Sequence, residues 1–272
     1  MITPSAPGEL AAKVNGQGIL RSNYEGQVAQ FQSAMVAQGV SFSGNEGKPL
    51  AMEVRRQVLE SMIEEALIAQ IAATRGITVT EQVLQQRVQD DITAGGGAEK
   101  FAQWLQRNNL TQDQYATLLR NQILTDELVR QLGTKIPDKV KQVHLRQILV
   151  DDEAKAKDLR KRLDGGTNFA DLAKKSSMDE ESRAEGGDRG FLPMGMGVID
   201  PDIEKALAGA APGQILGPIP SPFGFYLVQV MAIEDQRALT AEMRQGLLHD
   251  NFVAWLEEEK GKATIERLVK FE

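Results

Sequence analysis

Thiols, imidazoles and phosphate-cradling loops are the chemistry easiest to find in a sequence, and this chain of 272 residues offers little of any of them. It has no cysteine, which removes thiolate nucleophiles, disulfides and thiolate metal sites together. Its two histidines, His144 and His249, lie far apart with no ligand spacing around either, so no metal is expected. Gly186-Gly187-Asp188-Arg189-Gly190 has the glycine density of a phosphate loop but not its strand-to-helix setting. Lys155, Lys157, Arg160, Lys161 and Arg162 follow the acidic Asp151-Asp152-Glu153, and the run reads as a solvated helix face. Neither a Gly-x-Ser-x-Gly elbow nor a Walker loop is present, which argues against hydrolase and ATPase chemistry. The formal net charge of −7 argues against general nucleic-acid binding, because phosphate neutralisation needs a basic surface.

The elements that must position any site fall into three blocks. Val14-Asn15-Gly16-Gln17-Gly18-Ile19 predicts a strand and tight hairpin turn, Asn-Gly being suited to positive φ. A helix is expected from about Ser22 to Gln38, then a loop over the glycine-rich stretch Gly39 to Lys48. Val54, Val58, Met62, Ala66 and Ala69, with Leu59, Ile63 and Leu67 beside them, form an apolar stripe of helical period that ends at Arg75-Gly76. A second helix should stop before Gly95-Gly96-Gly97, whose backbone entropy opposes helix, and Phe101, Trp104 and Leu105 mark a short third one. Thr111 and Gln114 form a capping-box pair ahead of Leu118, Leu119, Ile123 and Leu128, with Leu110 and Tyr115 at the staple positions. Pro137 ends this block. At the other end of the chain, Thr240 predicts the cap of a long helix carrying Met243, Leu247, Leu248, Phe252, Trp255 and Leu256. Its apolar stripe needs a partner surface, and a strand over Ala263 to Glu266 beside Val14 would bring it to the first block.

Between these blocks, Val143 to Val150 reads as a strand, Glu153 to Leu163 as a charged helix, and Phe169, Leu172 and Ala173 as one helix face. In order and spacing, the strand, Phe169-Ala170-Asp171-Leu172-Ala173, Gly186 to Phe191, Pro212-Gly213-Gln214 and Phe223-Gly224-Phe225-Tyr226 resemble the parvulin-type peptidyl-prolyl isomerases. The flanks resemble the helical chaperone module of SurA-like and PrsA-like extracytoplasmic foldases. The resemblance implies an α+β fold: a discontinuous all-helical chaperone domain, residues 1–137 completed by a C-terminal helix and short strand in residues 236–272, around an inserted parvulin-like domain, residues 138–235. That domain is expected to hold a four-stranded antiparallel sheet with surrounding helices.

The same resemblance implies the site. The parvulin histidine pair would stand at Gln147 and Tyr226, and both positions are replaced here. His144 lies an odd number of residues from Gln147, on the opposite face of a strand, and is a poor substitute. Asp179 falls where the family has cysteine or aspartate, with two readings open: a carboxylate acting on the isomerising bond, or a loop cap. Ser221 keeps the family hydroxyl. Ile199, Ile203, Phe223 and Leu192 match the wall of the proline pocket, although Ile203 also reads as ordinary core. Arg189 stands where leucine is usual and puts charge at the rim. Such a reaction needs no cofactor, since it only turns an amide bond.

The expected function is an ATP-independent chaperone or foldase for unfolded or extended polypeptide clients, proline-containing segments among them, with weak or absent prolyl isomerase activity. Two alternatives stand beside it: an active isomerase with an altered site, and a noncatalytic assembly scaffold. No stretch has the length and apolarity of a membrane span. The resemblance implies a periplasmic or envelope location. Met1 to Leu10 carries neither a basic leader nor an apolar core, so a signal or anchor is expected to have been removed; read as the full natural product, the chain would be cytoplasmic.

Overall fold

In the computed structural model, residues 8–271 are described; the opening segment read above for a leader lies almost wholly outside them. Asn15 and Gly16 both take positive φ, 49° and 83°, and turn β1 (Leu10–Val14) into β2 (Gln17–Leu20) as an antiparallel hairpin. Five helices follow: α1 (Arg21–Ala37), α2 (Gly44–Thr74), α3 (Glu81–Ala94), α4 (Ala98–Arg107) and α5 (Gln112–Gly133). The next stretch is β3 (Lys139–Val150), α6 (Glu153–Asp164), α7 (Phe169–Ser176), α8 (Glu180–Arg183), β4 (Asp188–Pro193), α9 (Pro201–Leu207), β5 (Ile215–Ser221) and β6 (Gly224–Ala238). The chain closes with α10 (Ala241–Lys262) and β7 (Ile265–Arg267). Among the described residues no helix is long and apolar enough to cross a membrane.

Two units divide the chain after Lys135 and after Leu247, the first resuming at Leu248. The first turns of α10 stay with the second unit because Arg244 reaches back to the Ile136 and Pro137 carbonyls at 3.3 Å each and to Asp138 at 2.6 Å. In the first unit the predicted stripe of α2 becomes core: Val54, Val58, Leu59, Ile63 and Leu67 are buried with Leu124 and Leu128 of α5. Leu256 of α10 and Val269 beyond β7 join the same core, so the C-terminal stripe does find the N-terminal helices. A three-stranded sheet of order β2-β1-β7 seals this closure, with Val14 opposite Ile265.

The stretch expected as a loop, Gly39 to Lys48, is loop only to Ser43; α2 begins at Gly44 and takes in Gly47 and Pro49. Tertiary placement overrides propensity here. A Cβ at Gly47 would stand 2.2 Å from the carbonyl carbon of Phe42, so glycine is what lets the preceding chain fold back on the helix.

At α5 the capping box is complete: the Thr111 hydroxyl accepts from the Gln114 amide at 3.1 Å, and the Gln114 side chain accepts from the Thr111 amide at 2.8 Å. Beneath it, Tyr115 packs edge-on against Phe101 and Trp104 of α4. Thr111→Ala should therefore cost about 1 kcal/mol of stability, read as a lowered urea midpoint with an unchanged slope. A shift indistinguishable from zero would show that the box is redundant.

The second unit is built on an antiparallel sheet of order β4-β3-β6-β5. Alternation along β3 sends Val143, Leu145 and Leu149 to one face, with Ile203 and Leu207 of α9, and Ile148 and Val150 to the other, with Leu159 and Leu163 of α6 and Leu172 of α7. Lys155, Lys157, Lys161 and Arg162 lie exposed on α6, Lys157 paired with Glu153 at 2.7 Å, whereas Arg160 is half-buried: it pairs with Asp164 at 3.0 Å and donates to the Gly217 carbonyl of β5 at 2.8 Å.

Candidate functional site

On the α9 face of this sheet, β3 carries Gln147 opposite Val228, and β6 carries Tyr226 opposite Leu149. The two are diagonal neighbours on one face, close enough for long side chains to share a surface. Both line a hollow of about 310 Å³, at the small end of ligand pockets, which start near 300 Å³. Leu192, Ile199, Ile203 and Phe223 stand in the same wall, so six of the eight sequence-derived site residues meet there. Ile199 and Ile203 are also core, each at most 4% exposed, whereas Phe223 is 70% exposed at the tip of the β5–β6 hairpin. Ile203 thus serves as core and wall at once.

Asp179 stands behind Gln147. Its Oδ2 accepts from the Gln147 side-chain Nε2 at 2.8 Å and also from the Ser182 hydroxyl. Its own amide donates to the Ser177 hydroxyl at 3.2 Å, and Ser177 Oγ also accepts from the Leu149 amide, which ties this turn to β3. Although Asp179 occupies the N-cap position of α8, its side chain makes no cap bond; the carboxylate is turned toward Gln147 instead.

Ser221 is placed differently. Its hydroxyl accepts from the Phe223 amide at 3.1 Å and donates to the Gly224 carbonyl at 3.0 Å, so it works in the hairpin turn and does not line the hollow. His144 is likewise outside it: Nε2 faces Asp188 Oδ1 at 2.7 Å and the ring tilts against Phe191. Burial works against the Asp188 charge, but the Gly190 amide, His144 and Arg146 prevail and hold its carboxyl below the usual range.

Several wall residues had no part in the sequence-derived site: Leu145, Gly197, Val198, Asp200 and Pro201, together with Arg189, which was read only as rim charge. Leu145 is two residues from Gln147, and strand alternation alone would have found it. Asp200-Pro201 carries a cap signal, since Asp200 Oδ1 accepts from the Asp202 amide at 2.9 Å and proline takes the first position of α9. Gly197 and Val198 sit in an irregular loop with no period to read.

The polar character of the hollow follows from this arrangement. Burial pushes the Tyr226 phenol above its ordinary pKa; the charges of Asp200 and Asp179 push the same way, and Arg189 opposes them. The phenol is therefore a neutral donor at physiological pH. Arg189 is ion-paired to Glu181. The arrangement presents an apolar wall, one side-chain amide committed to a carboxylate, one phenol, and the charged groups of Arg189 and Asp200.

A parvulin-type sheet with a hollow at its centre is the class of domain this defines. The model of the PPIC-type PPIase domain matches residues 139–232, and that of the SurA-like N-terminal domain matches residues 2–129. Foldase protein PrsA of Caldanaerobacter subterraneus is 26% identical over 230 residues, spanning 82% of this chain and 73% of that protein. Foldase protein PrsA of Clostridium botulinum is 26% identical over 256 residues, spanning 84% and 76%. The crystal structure of the peptidylprolyl isomerase PrsA from Bacillus anthracis superposes with a TM-score of 0.58 at 25% identity, covering 75% of this chain and 96% of that one. The chain belongs to the PrsA- and SurA-like chaperones, with a parvulin domain set into a discontinuous helical domain.

Proposed function

We propose that this foldase binds unfolded or extended segments of secreted or envelope proteins without ATP, in an extracytoplasmic setting, and that its parvulin domain holds proline-containing segments with weak or absent isomerase turnover. The observation that carries this is the pairing of Gln147 with Asp179 where the family has an imidazole.

Turning a prolyl bond means breaking amide resonance, a barrier of about 18–20 kcal/mol for peptide bonds. Leu192, Ile199, Ile203 and Phe223 offer the ring an apolar seat and strip water from the amide. As the bond twists, the carbonyl oxygen gives up negative charge, so a nearby carboxylate favours the twisted state. Here the Asp179 carboxylate stays charged but stands behind Gln147, outside the wall, with its Oδ2 held by Gln147 and Ser182, and Ser221 is spent on its turn. Neither group stands in the wall of the hollow, so neither supplies the site with a polar group whose contact with the prolyl amide strengthens as the bond twists, and it is contacts of that kind that accelerate.

The test is one preparation assayed twice. Aggregation of an unfolded client should be suppressed without nucleotide, while protease-coupled turnover of a proline peptide should fall below that of an active parvulin by about a hundredfold or more, the scale of one lost electrostatic contact to the twisted state. Turnover equal to an active parvulin would overturn the second half of the reading and favour an active isomerase working through Asp179 and Tyr226. Indifference to every unfolded client would overturn the first half and favour a scaffold with one native partner.

A further inference from the structure

The ionisable groups around the hollow do not balance. Arg189 and Asp200 line it, Glu181 is paired to Arg189, and Asp179 lies directly behind Gln147. The Glu181 pair offsets the one cation. Asp179 is held by Gln147 and Ser182, both neutral donors, and Asp200 spends one oxygen on the neutral amide of Asp202. Two carboxylate charges therefore remain uncompensated beside the apolar wall of the hollow. Asp200 directly follows Ile199, a residue of that wall, so its charge lies about one residue's reach from whatever ring the wall holds.

We infer that the hollow selects proline segments flanked by lysine or arginine and rejects those flanked by aspartate or glutamate, with Asp200 as the main specificity-determining residue. This rests on the reading of the hollow as a proline seat. A basic flank gains the attraction of Asp200 and Asp179 in a partly desolvated site; an acidic flank meets the same charges as repulsion, and exclusion of wrong partners by like charge is the stronger half of such selectivity. Arg189 tempers the preference, which gives the two rim residues opposite signs.

The experiment is calorimetric titration of the full chain with three short peptides that differ only around one proline: Lys-Pro-Lys, Ala-Pro-Ala and Glu-Pro-Glu. The lysine peptide should bind roughly tenfold more tightly than the glutamate peptide at low salt, with the gap narrowing as salt screens it. Asp200→Asn keeps the helix cap, because asparagine caps as well as aspartate, and should close most of the gap. Arg189→Gln should widen it. These opposite shifts cannot both come from loosened packing. Equal affinity for the lysine and glutamate peptides in the parent chain, or tighter glutamate binding, overturns the inference and leaves the proline seat intact. Failure of all three peptides to bind overturns the seat and the inference together.

Discussion

Deleting the chain from Leu248 onward is expected to leave the first unit without a cooperative unfolding transition, while the second unit still unfolds as one. The deletion takes Leu256 and Val269, each 8% exposed, out of the α1–α2–α5 core, along with the part-buried Phe252, Trp255 and Ile265 that pack on it. Burying one large apolar side chain is worth about 1.5–3 kcal/mol, so Leu256 and Val269 alone approach the roughly 5–15 kcal/mol that holds a whole domain. The backbone loses as well. β1 is nearly all interior, with Ala11, Ala12 and Val14 at 0% exposure, and it would lose its β7 ladder, the Thr264 carbonyl that accepts from Asn15 and the Leu268 amide that donates to Ala11. Unpaired groups on a buried strand are costly. Three ion pairs also disappear, Lys260 with Glu64 at 2.9 Å, the two-pronged Arg267 with Glu60 at 2.6 and 2.7 Å, and Lys13 with Glu266 at 3.3 Å, a smaller loss because each stands partly in solvent. The chain has two tryptophans, Trp104 and Trp255, so in the truncated protein Trp104 fluorescence reports on the first unit alone. A sigmoidal urea transition at the parent midpoint would show that the N-terminal helices are self-sufficient. Loss of that transition, with amide signals of the β3–β6 ladder retained, is the expected result.

The difference between what the sequence states and what it conceals follows the range of the interactions. The capping box at Thr111 and Gln114, the Asn15-Gly16 turn and the stop at Gly95 are legible because each is settled within four residues. The stripe on α10 shows that a partner surface is needed, and only the fold supplies it. The hollow is intermediate. Gln147 and Tyr226 can be placed on one face by parity and by resemblance to parvulins, and the structure brings them together. His144 falls outside by the same parity, even though the β3–β6 register shifts between His144 and Leu145. Ser221 and Asp179 carry the limit of such reasoning: a hydroxyl or carboxylate at a family position has the right type, but whether it faces the hollow or serves the backbone depends on neighbours set by tertiary packing. Ser221 serves its turn, and Asp179 faces Gln147. Gly197 to Asp200 contribute wall residues from a loop that carries no period, so no pattern points to them.

Gly187→Ala should destabilise the second unit by about 3 kcal/mol and abolish peptide binding at the hollow. Gly187 holds φ at +82°, where a Cβ is strained, and an added methyl would meet the Gln147 carbonyl oxygen at 2.3 Å and the Ala173 methyl at 3.2 Å. The left-handed conformation costs an L-residue about 1–2 kcal/mol, and forcing an extra carbon into packed backbone costs about 1–3 kcal/mol more. The clash falls on the chain that sets the site. Gly187 accepts from the Gln147 amide at 2.8 Å and donates to the Ser182 carbonyl at 2.8 Å, and Ser182 in turn holds Asp179 against Gln147. Moving Gly187 off β3 therefore loosens the strand edge, the α8 turn and the Gln147–Asp179 pair in one step. Gly190→Ala is the internal control, because Gly190 also has a positive φ, 65°, but an added Cβ there meets nothing within 4 Å. It should show the backbone cost alone and keep the peptide affinity. Urea unfolding of both variants, followed by the sheet's amide signals, separates the two contributions: a Gly187→Ala protein no less stable than Gly190→Ala would mean that the close crossing of Gly187 over Gln147 does not govern the site.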